Sequence, residues 1–365
     1  MPLPHRLFAF LLLLVLTCTQ AQAQRVAKYG ADFLAGGVGA RALAMGGAHV
    51  AVASDVDAVY WNAAGLMGLQ FPEVSYMHAE RFSGSVSFDY GSAAMPLTDR
   101  STVAFAFFRS GVNDIKNTLD AWDAERDQPK ANPGDFVTSF SAADYAFFVG
   151  YARQLRPSLA VGVSAKLIRR SIGSFASAWG YSVDASARYV GQRYRFGVNL
   201  QDITTMLQSW SINAGNLANL ETVFGDELPS GGTELVLPVA RLGMARIQPT
   251  GQGVFTFAAD VDLAFDGQAA NAFDLASISF HPRLGAEYTH MDVASIRLGL
   301  ARIRQVRGEG LDMTPTVGAG LKYGGIKIDY GFGDFAGLAS ELGFSHRMSL
   351  SYEFRKEAYK RPSVD

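Results

Sequence analysis

The stretch GARALAMGGAHVAVASDVDAVYWNAAGL, residues 39 to 66, is too rich in glycine and too weakly periodic to be an ordinary strand or an ordinary amphipathic helix. Gly46 and Gly47 stand between two runs of small residues, and only glycine takes a positive φ without steric cost, so the pair predicts a tight reversal. Asp55 is placed to N-cap a short helix through Asp57 to Asn62, with Gly65 just past its end as the C′ residue. Ala40, Ala42, Ala44, Ala48, Ala51 and Ala53 let backbones pass close to one another. The stretch reads as a compact plug packed inside something larger. Gly37 to Ala42 also fits the letters of a G-x-G-x-x-A dinucleotide fingerprint, but that motif needs an apolar strand before it and a βαβ unit around it. Residues 25 to 35 are not a buried strand, and no alternation of helices and strands follows.

The remaining chain supplies the container. Residues 1 to 23 carry one arginine, an apolar core from Leu7 to Leu16 and an Ala21-Gln22-Ala23 end, the layout of a cleaved secretory signal. Cys18, the single cysteine, falls inside that signal behind Thr17, so the mature chain is expected to have no disulfide or thiolate chemistry. A net charge of −2 offers no basic field for nucleic acid. The 38 glycines and 25 phenylalanines are many, while no run after the signal approaches the ~18 apolar residues of a membrane helix.

Period-two alternation takes over after the plug. Tyr181, Val183, Ala185, Ala187 and Tyr189 alternate with Ser182, Asp184, Ser186 and Arg188, which makes one apolar face with tyrosines at both ends and one polar face. That is the pattern of a strand with lipid outside, a lumen inside and an aromatic girdle at each interface. About fourteen such segments run from residue 73 to residue 354, an even number as single-chain bacterial barrels require. Every second connection is short, as at Pro96 to Arg100, Leu155 to Pro157, Gly191-Gln192 and Gly324, whereas the long ones, Gly111 to Ser141 and Ile203 to Thr233, belong to the other set. Short periplasmic turns and long external loops segregate this way in outer-membrane barrels. The expected architecture is thus all-β: a transmembrane antiparallel β-barrel of about 14 strands over residues 72 to 354. A small N-terminal helical plug would cover residues 24 to 71, and a polar periplasmic tail residues 355 to 365.

The plug stretch also resembles the N-terminal signature shared by the PorV/PorQ family of the type IX secretion system and the FadL-type long-chain fatty-acid channels. Gly39, Ala40, Arg41, Gly46, Gly47, Asp55, Trp61, Asn62 and Gly65 all match, and Ala63 stands where the pattern has proline. Gly197 to Asp202 and Ser345 to Phe354 are similar to strand ends of the same family, so the resemblance spans the mature chain. It implies an outer-membrane component of type IX secretion in a Gram-negative bacterium. Such a protein binds the C-terminal signal domain of translocated cargo and delivers it to a surface attachment complex that includes a sortase-like protease. The alternative it implies is a FadL-like channel, with a hydrophobic ligand or detergent in the lumen and exit through a lateral gap at a kinked strand.

No catalytic, cofactor or metal site is expected. The histidines lack ligand spacing, Asp260, Asp262 and Asp266-Gly267 do not form D-x-D-x-D-G, and no G-x-S-x-G elbow occurs. Inward charges such as Lys166, Asp184, Arg188, Arg195, Asp260, Asp262, Arg283, Glu287, Arg297, Lys327, Asp329 and Arg347 read as internal ion pairs that hold the plug, or as a permeation path. An arginine at inward Ser186 is expected to be milder than one at lipid-facing Val183, which should disturb insertion. Trp122, Phe136, Phe140, Trp210 and Phe224 in the long loops are candidate apolar anchors for a partner.

Overall fold

The computed structural model describes residues 25–26, 32–81, 84–123, 126, 128–217, 231–265, 273–275, 278–306, 310–333 and 345–355. The signal region, most of the tail and Phe224 lie outside the described residues.

Fourteen strands form the wall: β1 Glu73–Arg81, β2 Val86–Thr98, β3 Ser101–Asn117, β4 Thr138–Arg156, β5 Leu159–Ile172, β6 Ala176–Val190 and β7 Tyr194–Gln201, then β8 Val239–Thr250, β9 Gly253–Ala264, β10 Ile278–His290, β11 Ala294–Val306, β12 Gly310–Tyr323, β13 Ile326–Gly333 and β14 Ser345–Glu353. Each pairs antiparallel with the next, and β14 returns to β1 with Ser351 opposite Ser75, so the ring is closed and has no free edge. A closed ring satisfies every ladder hydrogen bond internally, which the hydrocarbon phase demands. Among the described residues no helix is long and apolar enough to cross a membrane; the strands cross it.

Alternation sorts the faces as the sequence pattern requires. Tyr181, Tyr189, Phe196, Leu298, Ile328, Met348 and Leu350 are exposed, while Ser182, Asp184, Ser186, Arg188, Asp329 and Ser349 on the same or neighbouring strands are buried inside. The external loops are shorter than expected, because strand pairing outlasts the apolar band. β3 and β4 continue as a polar ladder to Asn117 opposite Thr138, and Met206–Ile212 pairs with Thr233–Val236 above β7 and β8. A change of polarity ends the lipid contact of a strand, but its backbone groups still need partners.

Inside the ring lie the short helices Asp32–Ala35, Ala40–Ala44 and Ala58–Trp61 and the 3-10 turn Ala63–Gly68. Two local expectations are corrected here. Asp55 does not cap the third helix: Asp57 occupies the N-cap in αR geometry, no side-chain cap bond forms, and the Asp55 carboxylate faces Lys327 instead. Gly65 is not a C′ residue but sits within the 3-10 turn, where a β-carbon would strike the Ala53 carbonyl. The helix stops at Trp61 because Asn62 is extended and turns its side-chain oxygen to the Ala64 amide.

Candidate functional site

The plug touches all fourteen strands. On β4, β5, β7, β8, β10, β11, β12 and β13 the contact is made at an inward glycine: Gly150, Gly162, Gly197, Gly243, Gly285, Gly299, Gly318 and Gly331. A β-carbon at any of the eight would come within 3.0 Å of a plug atom. Three pairs face each other across the ladder, Gly197 with Gly243, Gly285 with Gly299 and Gly318 with Gly331, so the belt lies in register around the wall. Sequence reading found the glycines numerous without finding the belt. Its signal was a glycine on the lumen phase of strand after strand.

The plug's half of this contact is the motif itself. Gly46 and Gly47 take φ of 65° and 80°, the predicted reversal, and a β-carbon on Gly46 would lie 2.6 Å from the Leu300 carbonyl. Gly39, with φ 82°, gives its amide to the Met77 sulfur, and Ala40 gives its amide to Ser349 Oγ at 2.9 Å. Trp61 Nε1 donates to the Val38 carbonyl at 3.0 Å, while Asn62 Nδ2 donates to Val50 inside the plug and to Ala187 on β6. The remaining strands are met at Ser92 on β2, which donates to Asp57, at Thr102 on β3 beside Met67, and at Asp260 on β9, which accepts the His49 and Val50 amides.

Six charges of alternating sign then join plug to wall near the periplasmic mouth. Arg41 pairs with Glu287, Glu287 with Arg297, Arg297 with Asp329, Asp329 with Lys327, and Lys327 with Asp55, which returns the chain of pairs to the plug. Arg41 Nη2 stands 2.6 Å from Glu287 Oε1, and the Arg297, Glu287 and Asp329 side chains are almost wholly buried. The reading of inward charges as ion pairs that hold the plug therefore fits Glu287 and Lys327, which pair with Arg41 and Asp55 of the plug, and is incomplete elsewhere. Arg188 and Arg347 hold the plug by its carbonyls, Ala51 for the first and Gly36 and Gly37 for the second. Lys166, Asp184 and Asp202, like Arg241, Asp262 and Arg283, pair within the wall. The Ser186 hydroxyl accepts from the Ala64 amide and donates to the Gly162 carbonyl, so an arginine there would have to displace plug contacts.

Burial is the largest cause of the shifts of two plug groups. His49, enclosed and T-stacked on Trp61, is held neutral by desolvation, helped by the Arg41 charge, with its pKa lowered to about 3. Asp57 is pushed up to about 7 by desolvation and by the Asp55 charge.

Toward the outer rim the lumen has a different character. The inner faces of β1 to β5 present Met77, Ala79, Phe88, Tyr90, Phe108, Phe148 and Ile168, all buried, and the plug's Phe33, Leu34 and Tyr60 pack against them. Phe33 meets Phe108 at 5.9 Å between ring centres, and Tyr60 meets Phe148 at 5.9 Å. Beside Gly36 stand two arginines with no carboxylate partner among the described residues: Arg81, over the Phe88 ring, and Arg347, whose Nε is buried without a hydrogen bond.

The wall is irregular at one place beside this compartment. The β6 ladder runs from Val190 to Ala185 along β7, is bridged irregularly at Val183, whose carbonyl accepts from the Ile203 amide and whose amide donates to Thr204 Oγ1, and resumes at Tyr181 opposite Leu207. Asp202 and Thr205 between them have φ of 55° and 56°. Side chains close the inner side of this lapse: Lys166 Nζ lies 3.1 Å from Asp184 and 2.9 Å from Asp202, and Ser182 donates to Asp202.

The four candidate anchors among the described residues make no ring contact with one another. Trp122 begins a two-residue strand and Phe136 lies under Lys130, both in the β3 to β4 loop, and Phe140 on β4 packs edge-on against Phe175. Trp210 stands elsewhere, donating to Glu234 with the Arg170 guanidinium over its ring. Among the described residues no group of three or more His, Cys, Asp or Glu is arranged to hold a metal ion.

A closed 14-stranded antiparallel barrel with an apolar exterior, filled by an N-terminal plug, has the architecture of an outer-membrane barrel. Solved structures with this fold include the toluene transporter TodX of Pseudomonas putida, with 14% identity over 89% of this chain and 98% of that one and a TM-score of 0.52. The toluene transporter TbuX of Ralstonia pickettii has 12% identity over 88% and 100%, with a TM-score of 0.56. A FadL homologue of Pseudomonas aeruginosa has 11% identity over 87% and 98%, with a TM-score of 0.50. At these identities the likeness is one of fold. No family model and no curated protein sequence matches the chain.

Proposed function

We propose that the protein is an outer-membrane channel for a hydrophobic compound, and that its ligand is an amphiphile with an anionic head, such as a long-chain fatty acid. The observation that carries this reading is the apolar inner wall of β1 to β5 beside Arg81 and Arg347. An alkyl chain would replace Phe33 and Leu34 against Phe88, Phe108 and Phe148, and a carboxylate would supply a partner that the two guanidinium groups do not have among the described residues. Two of the structural neighbours are toluene transporters and a third is a FadL homologue, which supports passage of hydrophobic compounds in general. The lapse between β6 and β7 offers an exit into the lipid, closed on the lumen side by Lys166, Asp184 and Asp202.

The test is titration of purified barrel in detergent with palmitate and, separately, with toluene. Saturable palmitate binding that weakens about tenfold in Arg347→Met fits an anionic head within the usual worth of a charge-assisted bond. Toluene binding alone would place the ligand among neutral hydrocarbons, and binding of neither would remove the channel reading.

Reception of type IX cargo is a second reading. It is favoured by the match of residues 39 to 66 to the family signature and by the outward hairpins that carry Trp122, Phe136, Phe140 and Trp210. Its partners would be cargo C-terminal domains and the attachment complex. Recovery of such proteins with the barrel from mildly solubilised membranes, lost on trimming the Met206–Val236 hairpin, would favour it.

A further inference from the structure

The lipid-facing surface of β8 to β11 is not smooth. A cleft of about 440 Å³ is cut into it where small side chains interrupt a row of large ones. Ala259 on β9 and Ala286 on β10 form its floor, because Ala259 pairs with Leu284 and Ala286 with Phe257, which sets the two alanines on a diagonal. Met244 and Phe257 make one bank, and Leu284 and Leu298 make the other, each with its side chain turned out to the lipid.

One end of the cleft is charged. Arg246 lies at its periplasmic end, opposite Tyr194, the first residue of β7 after the short turn. Its guanidinium donates to Gln248 Oε1 at 3.2 Å and has no carboxylate partner among the described residues. An arginine at the level of the tyrosine girdle, on the outside of a barrel, faces the phosphates of the adjoining leaflet.

We propose that this cleft is a binding site for one periplasmic-leaflet glycerophospholipid, with an acyl chain over Ala259 and Ala286 and the phosphodiester on Arg246. The volume is that of a small-molecule site, and apolar length leading to a single cation matches the chemistry of a phospholipid from chain to phosphate. The commitment is to lipid, since the banks of the cleft open into hydrocarbon and not into water. The proposal is independent of what passes through the lumen.

The experiment is native mass spectrometry of the intact barrel released from micelles doped with phosphatidylglycerol, each variant first shown to be folded by its altered migration before boiling. One retained phosphatidylglycerol is expected on the unaltered protein. Filling the floor with Ala259→Leu and Ala286→Leu should lower its occupancy about tenfold, and Arg246→Gln should lower it severalfold. Ala165→Leu, the same substitution made once on the lipid face of β5, should leave it unchanged. Arg246→Gln alters no packed residue and carries the test if the double variant does not fold. Unchanged occupancy in the folded floor-filled barrel or in Arg246→Gln, or an equal loss in Ala165→Leu, would overturn the site.

Discussion

The two halves of the lumen wall hold the same plug by different physics. Apart from Gly150 and Gly162, the inner face of β1 to β5 is aromatic and aliphatic, so that contact is largely non-directional and tolerates rearrangement as long as volume is kept. On β8 to β13 it is glycine and alternating charge, so backbones meet directly and each ion depends on its particular neighbours in the chain of pairs. The difference suggests a division of labour: the charged half fixes the plug in place, while the apolar half is the part a ligand could enter.

The largest expected effect tests the charged half. Glu287 serves Arg41 on the plug and Arg297 on the wall, and breaking a buried pair leaves an uncompensated charge. Glu287→Gln should therefore cost about 3 to 5 kcal/mol, read as a loss of heat-modifiable barrel or as plug cleavage by added protease. An intact plug in that variant would break the comparison. Gly46→Val comes next, at about 2 to 4 kcal/mol, since it combines positive φ with a clash against the Leu300 backbone. Its measure is the urea midpoint of unfolding, and an unchanged midpoint would mean that the belt yields.

A pH series separates two buried plug groups. The Asp57 carboxyl has its pKa raised in the fold, so its stabilising share is present below about pH 4 and is lost as pH rises through about 7. His49 is lowered, so its share is present above about pH 6.5 and is lost as pH falls toward about 3. Asp57→Asn should accordingly raise the thermal midpoint at pH 8 and not at pH 4, and His49→Gln should reduce the acid sensitivity. A uniform shift at both pH values would contradict the assignment. The smallest effect belongs to the apolar half: Ile168→Val removes one buried methylene at a cost of about 1 kcal/mol, and its thermal midpoint should fall only slightly. A loss as large as that of Glu287→Gln would erase the contrast between the walls.

The strand count and the lipid face were legible because alternation is local: a period of two within Tyr181 to Tyr189 or Ile326 to Phe332 assigns each side chain to oil or lumen without knowledge of any neighbour. The reversal at Gly46 was legible for the same reason, a φ preference of the residue itself. The use of Asp55 was not. Its sequence position suits an N-cap, and only the arrival of Lys327 from 272 residues away gave its carboxylate a stronger partner.

The sequence by itself determined the number of strands, their lipid-facing sides and the presence of a tight glycine reversal before the barrel, since these rest on neighbours within a few residues. Only the tertiary structure decided that eight inward glycines form one belt, that six charges close a circuit from Arg41 to Asp55, and that Arg81 and Arg347 have no carboxylate partner among the described residues. Closing the ring brings side chains hundreds of residues apart to hydrogen-bond distance. The low-dielectric, filled interior then makes the identity of each partner, rather than its place in the chain, set the energy.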